Sequence, residues 1–167
     1  AFLFVSIIAT NVLADIKMGI ILGFTGPIES LTPAMAGSAE LAFKEASDSG
    51  SLLGGKRISV ERADSTCVDS AAATSAAEGL VSGGVVAIMG ADCSGVTGAI
   101  AKNVAVPNGV VMISPSATSP GLTDLKDNGY FFRTAPSDAR GGQILADITK
   151  DRKVKSIAVT HTNNDYG

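Results

Sequence analysis

The residues of this chain that could do chemistry are mostly hydroxyls, and they gather where apolar runs stop. The stretch "VVMISPSATSPGLT" (110–123) breaks abruptly into Ser114, Ser116, Thr118 and Ser119, punctuated by Pro115 and Pro120. Ser94 follows a second apolar run, in "VVAIMGADCSGVTGAI", where a helical pattern begins. A hydroxyl at a helix start lies beside free backbone N–H groups and the positive end of the helix dipole, a natural place for a carboxylate. Thr118 and the backbone around Ser116 can add donors and carbonyl acceptors, so the set suits a small zwitterion. The plainer alternative is that Ser94 is only a helix N-cap and Thr118 only a turn residue.

Other chemistries find less support. The single histidine, His161, has no obvious carboxylate or thiol partner. There is no G-x-S-x-G nucleophile elbow and no phosphate-binding G-x-x-x-x-G-K-S/T loop. The glycines of "GFTGPI" are wrongly spaced for a dinucleotide fingerprint, and no cluster has metal-ligand spacing. The expectation is a protein that binds without catalysing and carries no cofactor or metal. A Rossmann-type enzyme is the remote alternative.

The bulk composition is that of a folded domain. The chain has 167 residues, enough for one domain, or for one domain and part of another. It is 46% hydrophobic and 17% charged with 19 glycines, the balance of a folded α/β protein. A net charge of −3 without any Lys/Arg cluster excludes the basic stripe that nucleic-acid binding requires.

The opening "AFLFVSIIATNVLADIK" reads as a secretory signal, with Val12 and Ala14 as the small residues of a cleavage site. No initial Met or basic segment precedes it, so the expectation is a partial signal over 1–14. The alternative is a buried first strand. Export fits the two cysteines, Cys67 and Cys93, which are too far apart for a CxxC motif. In an oxidising compartment they form one disulfide; otherwise they are two independent buried thiols.

Apolar periodicity sets the elements that carry these residues. Strands are predicted at 16–24, 57–63, 85–89, 109–113, 130–135 and 155–162. Helices are predicted from Thr32-Pro33 to Gly50, from Asp69 or Ser70 to Gly83, from Ser94 to about Val104, and from Ser137-Asp138 to about Lys150. Continuously apolar strands alternating with helices predict a Rossmann-like parallel sheet, α/β, with helices on both faces. Right-handed crossovers place every strand's C-terminus on one edge, and ligands bind there. That edge should carry Thr25-Gly26-Pro27, Asp64-Ser65, Gly90 to Ser94 and Ser114 to Thr118.

In order and spacing, "GFTGP", "LLGGKRISVERAD", "IMGADCSGVTGA", "ISPSATSPGLT", "YFFRTAPSD" and "NNDYG" resemble the periplasmic Leu/Ile/Val-binding proteins of ABC uptake systems, from about Ile16 to Gly167. The resemblance implies a type I periplasmic-binding fold, two lobes closing on a free amino acid. It implies a first lobe over 15–136 and the start of a second over 137–167. Ser94 matches the serine that binds the ligand carboxylate. Ser116 and Thr118 match positions holding the α-amino and α-carboxylate groups, the first through its carbonyl, and Ala117 between them is expected to be a further ligand-binding position. Tyr166 matches a second-lobe tyrosine lying against the ligand. Ser114 and Ser119 are expected to be local turn formers.

Cys67 and Cys93 match a disulfide pair of the family. Leu31 stands where the family often has an aromatic covering the ligand side chain. The implied partners are a small amino acid and an inner-membrane ABC permease, with the complete protein a periplasmic monomer. Sensors and binders of amides, urea or short-chain acids share the fold. The acidic partner of the ligand ammonium is expected beyond Gly167, so the 167 residues alone are expected to bind ligand weakly or not at all.

Overall fold

The computed structural model describes residues 15–164 and 166–167; the signal-like segment 1–14 lies outside the described residues. Five strands, β1 (Ile16–Leu22), β2 (Ile58–Asp64), β3 (Ala87–Gly90), β4 (Val111–Ser114) and β5 (Phe131–Arg133), form one sheet in the order β2-β1-β3-β4-β5. Every pairing is parallel. The helices are α1 (Thr32–Asp48), α2 (Ser70–Ser82), α3 (Ser94–Ile100) and α4 (Asp138–Asp151).

The central strand shows why both faces need helices. Ile20, Ile21 and Leu22 are all fully buried. Side chains alternate along a strand, so Ile20 and Leu22 pack with Ala36, Met35 and Phe43 of α1. Ile21 faces the larger cluster of Ala73, Ala77 and Leu80 from α2, Val96 and Ile100 from α3, and Met112 from β4. Among the described residues, no helix is long and apolar enough to cross a membrane.

Register aligns the strand ends. Leu22 pairs with Asp64, Ile21 with Gly90, and Ser114 with Arg133, so the loops leave one edge of the sheet together. β2 lies on one side of β1 and β3 on the other. The connections from β1 and β3 therefore diverge, opening a crevice between them.

Three local expectations are corrected. Thr32 is not an N-cap acceptor: fully buried, it donates its hydroxyl to the carbonyls of Gly23 and Glu29, and Leu31 takes the cap position. Cys93, not Ser94, is the N-cap of α3, because the Ser94 hydroxyl is used on a neighbouring loop. The segment 155–162 is irregular and exposed rather than a strand, since a strand needs a neighbour for its N–H and C=O groups and no described strand lies beside it. Asp69 and Ser137 do cap α2 and α4, accepting from Ala71 and Ala72, and from Ala139.

Gly90 closes β3 at φ 135°, and a Cβ there would lie 2.0 Å from the Ile21 carbonyl oxygen. Gly90→Ala is expected to cost about 3 kcal/mol or more. Gly37, inside α1 with open space around it, should tolerate alanine and gain about 0.5–1 kcal/mol. Urea denaturation of both variants checks the pair.

Candidate functional site

A cleft of about 420 Å³ opens at the crevice between the ends of β1 and β3. Ile28 and Leu31 line it from the loop after β1, and Cys67, Val68 and Ser70 from the loop after β2. Asp92 to Val96 contribute the floor, Ser116 and Thr118 the far side, and Asn164 and Tyr166 a further wall. The cleft thus joins Leu31, Ser94, Ser116, Thr118 and Tyr166, all expected from the sequence. Ala117, also expected there, is not among the residues lining the cleft: its side chain is buried in the core cluster. The Ala117 backbone instead accepts from Arg133 and donates to Ser114.

Hydrogen-bond direction assigns each hydroxyl a polarity, since backbone N–H groups can only donate and carbonyls or carboxylates only accept. Ser94 Oγ accepts from Thr118 N at 3.2 Å and Ser119 N at 3.1 Å. Its lone pairs are committed, so its own proton is left to donate. Thr118 Oγ1 donates to Asp138 Oδ2 at 2.7 Å, and Ser116 Oγ donates to the Asp92 carbonyl at 3.0 Å. Those two oxygens keep lone pairs for an incoming donor. Beside Ser94, Gly95 and Val96 sit in the first turn of α3, where N–H groups have no helical acceptor.

Asp92 is the residue that motif reading passed over. It is the one carboxylate among the described lining residues, and it is only 4% exposed. Oδ2 accepts from Gly23 N at 2.8 Å; Oδ1 accepts from Cys93 N at 3.0 Å and from Ser65 Oγ at 3.3 Å. One side chain thereby stitches the loops after β1, β2 and β3. Ser114 forms the expected local turn, accepting from Ala117 N three residues on, and while fully buried it also donates to the Ala91 carbonyl of the loop after β3. Arg133 at the end of β5 donates to the Ser119 carbonyl at 2.8 Å and to Thr123 Oγ1 at 2.6 Å, holding the loop from outside.

Cys67 and Cys93 form a disulfide at the cleft floor, 26 residues apart in sequence. Thr66 and Cys67 both adopt positive φ, so the cross-link pins a strained turn to the start of α3. Below it, burial opposes ionisation of Asp64, but hydrogen bonds from the Thr25 hydroxyl and the Thr66 and Thr25 amides together hold its carboxyl below the usual carboxylate range.

Replacing both cysteines by serine is expected to lower stability by about 3 kcal/mol through the freed loop, read by urea denaturation. Folding lowers the Asp64 pKa, so on acidification the unfolded chain takes up this proton first. The Asp64 contribution should be full above a pH of about 4 and fade as pH falls further. Unfolding free energies compared between pH 6 and 3 should show a shallower acid slope for Asp64→Asn than for the parent.

"Leu/Ile/Val-binding protein homolog 3" of Brucella melitensis is 31% identical over 95% of this chain and 42% of its own length. The isoleucine complex of the branched-chain amino acid transporter substrate binding protein LivJ from Streptococcus pneumoniae superposes with a TM-score of 0.73 at 32% identity, covering 83% of this chain and 39% of that one. A solute binding protein of an ABC transporter from R. palustris, in complex with benzoate, gives a TM-score of 0.71 at 26% identity, over 85% of this chain and 38% of that one. The chain therefore spans about two fifths of the length of these relatives. These relatives and neighbours are solute-binding proteins, and their fold is the expected type I periplasmic-binding fold. The family model described as "Receptor family ligand binding region" matches residues 34–167, and the chain belongs to that family.

Proposed function

We propose that this chain is the ligand-gripping part of an extracytoplasmic solute-binding protein that takes a small amino acid, with an aliphatic side chain favoured, and hands it to an ABC permease in the inner membrane. The observation that carries this reading is the opposed polarity of the cleft hydroxyls. Ser94 has a proton to give, and Thr118 and Ser116 have lone pairs to offer. An acceptor-bearing carboxylate suits the first, and a donor-bearing ammonium suits the second. Ile28, Leu31 and Val68 supply an apolar wall for an aliphatic side chain.

In this reading, 15–136 is the first lobe and 137–167 the start of a second, from which Tyr166 reaches the ligand. A ligand bridging two lobes contributes its full binding energy only when they are closed, so occupancy becomes a change of shape that a permease can read. The signal-like sequence of 1–14 supports a periplasmic location, where a disulfide is stable. Binding needs no second copy, and the complete protein acts as a monomer without a cofactor.

A second reading, a binder of simple carboxylates or a sensor of such ligands, is favoured by the benzoate-bound neighbour. It uses Ser94 and the apolar wall but leaves the acceptor hydroxyls without a partner. Calorimetry on the full-length gene product separates the two: leucine, isoleucine or valine should bind and benzoate should not. A hydrogen bond to a charged group contributes roughly 1.5–3 kcal/mol. Ser94→Ala should therefore weaken binding by about 10- to 100-fold. Benzoate binding with no response to the three amino acids would overturn the amino-acid reading.

A further inference from the structure

We propose that Asp138 is a positioning residue of the cleft, which holds the Thr118 hydroxyl as an acceptor and so gives the site its preference for ligands bearing an ammonium group. This rests on the amino-acid reading above and assigns a determinant of selectivity within it. Asp138 sits in the first turn of α4, twenty residues along the chain from Thr118, and the two make a reciprocal contact. Thr118 Oγ1 donates to Asp138 Oδ2 at 2.7 Å, and the Asp138 amide donates to the Thr118 carbonyl at 3.0 Å.

The loop backbone is already held by other groups. Arg133 donates to the carbonyls on both sides of Thr118, at Ala117 and Ser119, and Thr134 Oγ1 donates to the Pro115 carbonyl. What the Asp138 carboxylate adds is control of one proton. A free threonine hydroxyl can turn to donate or to accept. With a carboxylate in place it can only donate toward Asp138, and its lone pairs are what remains for a ligand. The negative charge behind it strengthens the hydroxyl oxygen as an acceptor, since hydrogen bonds in a chain polarise one another. A ligand ammonium gains from this arrangement. A ligand that places an oxygen acceptor there gains nothing.

The test is calorimetry of leucine and of its deaminated analogue, 4-methylpentanoate, on the full-length protein and its Asp138→Ala and Asp138→Asn variants. Asp138→Ala should weaken leucine about tenfold, with 4-methylpentanoate unchanged within about twofold. Asp138→Asn keeps an oxygen acceptor for the hydroxyl and should recover most of the leucine affinity. Equal weakening of both compounds in Asp138→Ala, or no weakening of either, would overturn the proposal. If the parent protein binds neither compound, the amino-acid reading falls. The positioning claim is then judged by NMR of the free protein: a slowly exchanging Thr118 hydroxyl proton, lost in Asp138→Ala, upholds it, and rapid exchange in both overturns it.

Discussion

The reversal of strand order at β1 is the constraint on which the rest of this structure depends. β2 and β3 flank β1, so the chain leaves the sheet in opposite directions from adjacent strand ends. Apolar side chains cannot close such a gap, because backbone N–H and C=O groups emerge into it and need partners. Asp92, Ser94, Ser114 and Ser116 meet that need, each bonding to backbone outside its own segment. Among the described residues, every buried side-chain nitrogen and oxygen has a hydrogen-bond partner. The network that satisfies the gap also sets its chemistry, since the bonds already made determine which proton or lone pair of each hydroxyl remains for a ligand.

Fold alone would not have given this account, as the same architecture serves many ligands. The neighbours show the range, one with isoleucine and another with benzoate. What separates ligand classes is local. A donor at Ser94 serves any carboxylate, whereas acceptors at Ser116 and Thr118 serve only a ligand with hydrogens to give. The disulfide contributes by rigidity, keeping the loop after β2 against the start of α3 so that the cleft floor is in place before ligand arrives.

Much of this was legible in the sequence because the signals were strong and local. Unbroken apolar runs between helical patterns yielded the parallel sheet, and right-handed crossovers located the edge at which the cleft opens. Where a residue's role depends on a distant partner, sequence reading failed in consistent ways. Thr32 and Ser94 both carry the signature of an N-cap, yet their hydroxyls serve Gly23 and the Thr118 loop instead. Ala117 stood inside a motif whose neighbours line the cleft, but the tight turn after β4 buries it. Asp92 and Arg133 were missed since nothing in their immediate sequence announces the three loops one gathers or the carbonyls the other holds. The segment 155–162 has the pattern of a strand, and pattern cannot supply the neighbour a strand requires.

The central claim is that the cleft orients its ligand by the polarity of its hydroxyls. A crystal structure of the full-length protein with leucine, at a resolution that separates the ends of the ligand, tests it most directly. The account predicts the carboxylate against Ser94 and the first turn of α3, with the ammonium toward Thr118 and Ser116. A reversed ligand, or one bound away from these residues, would contradict it.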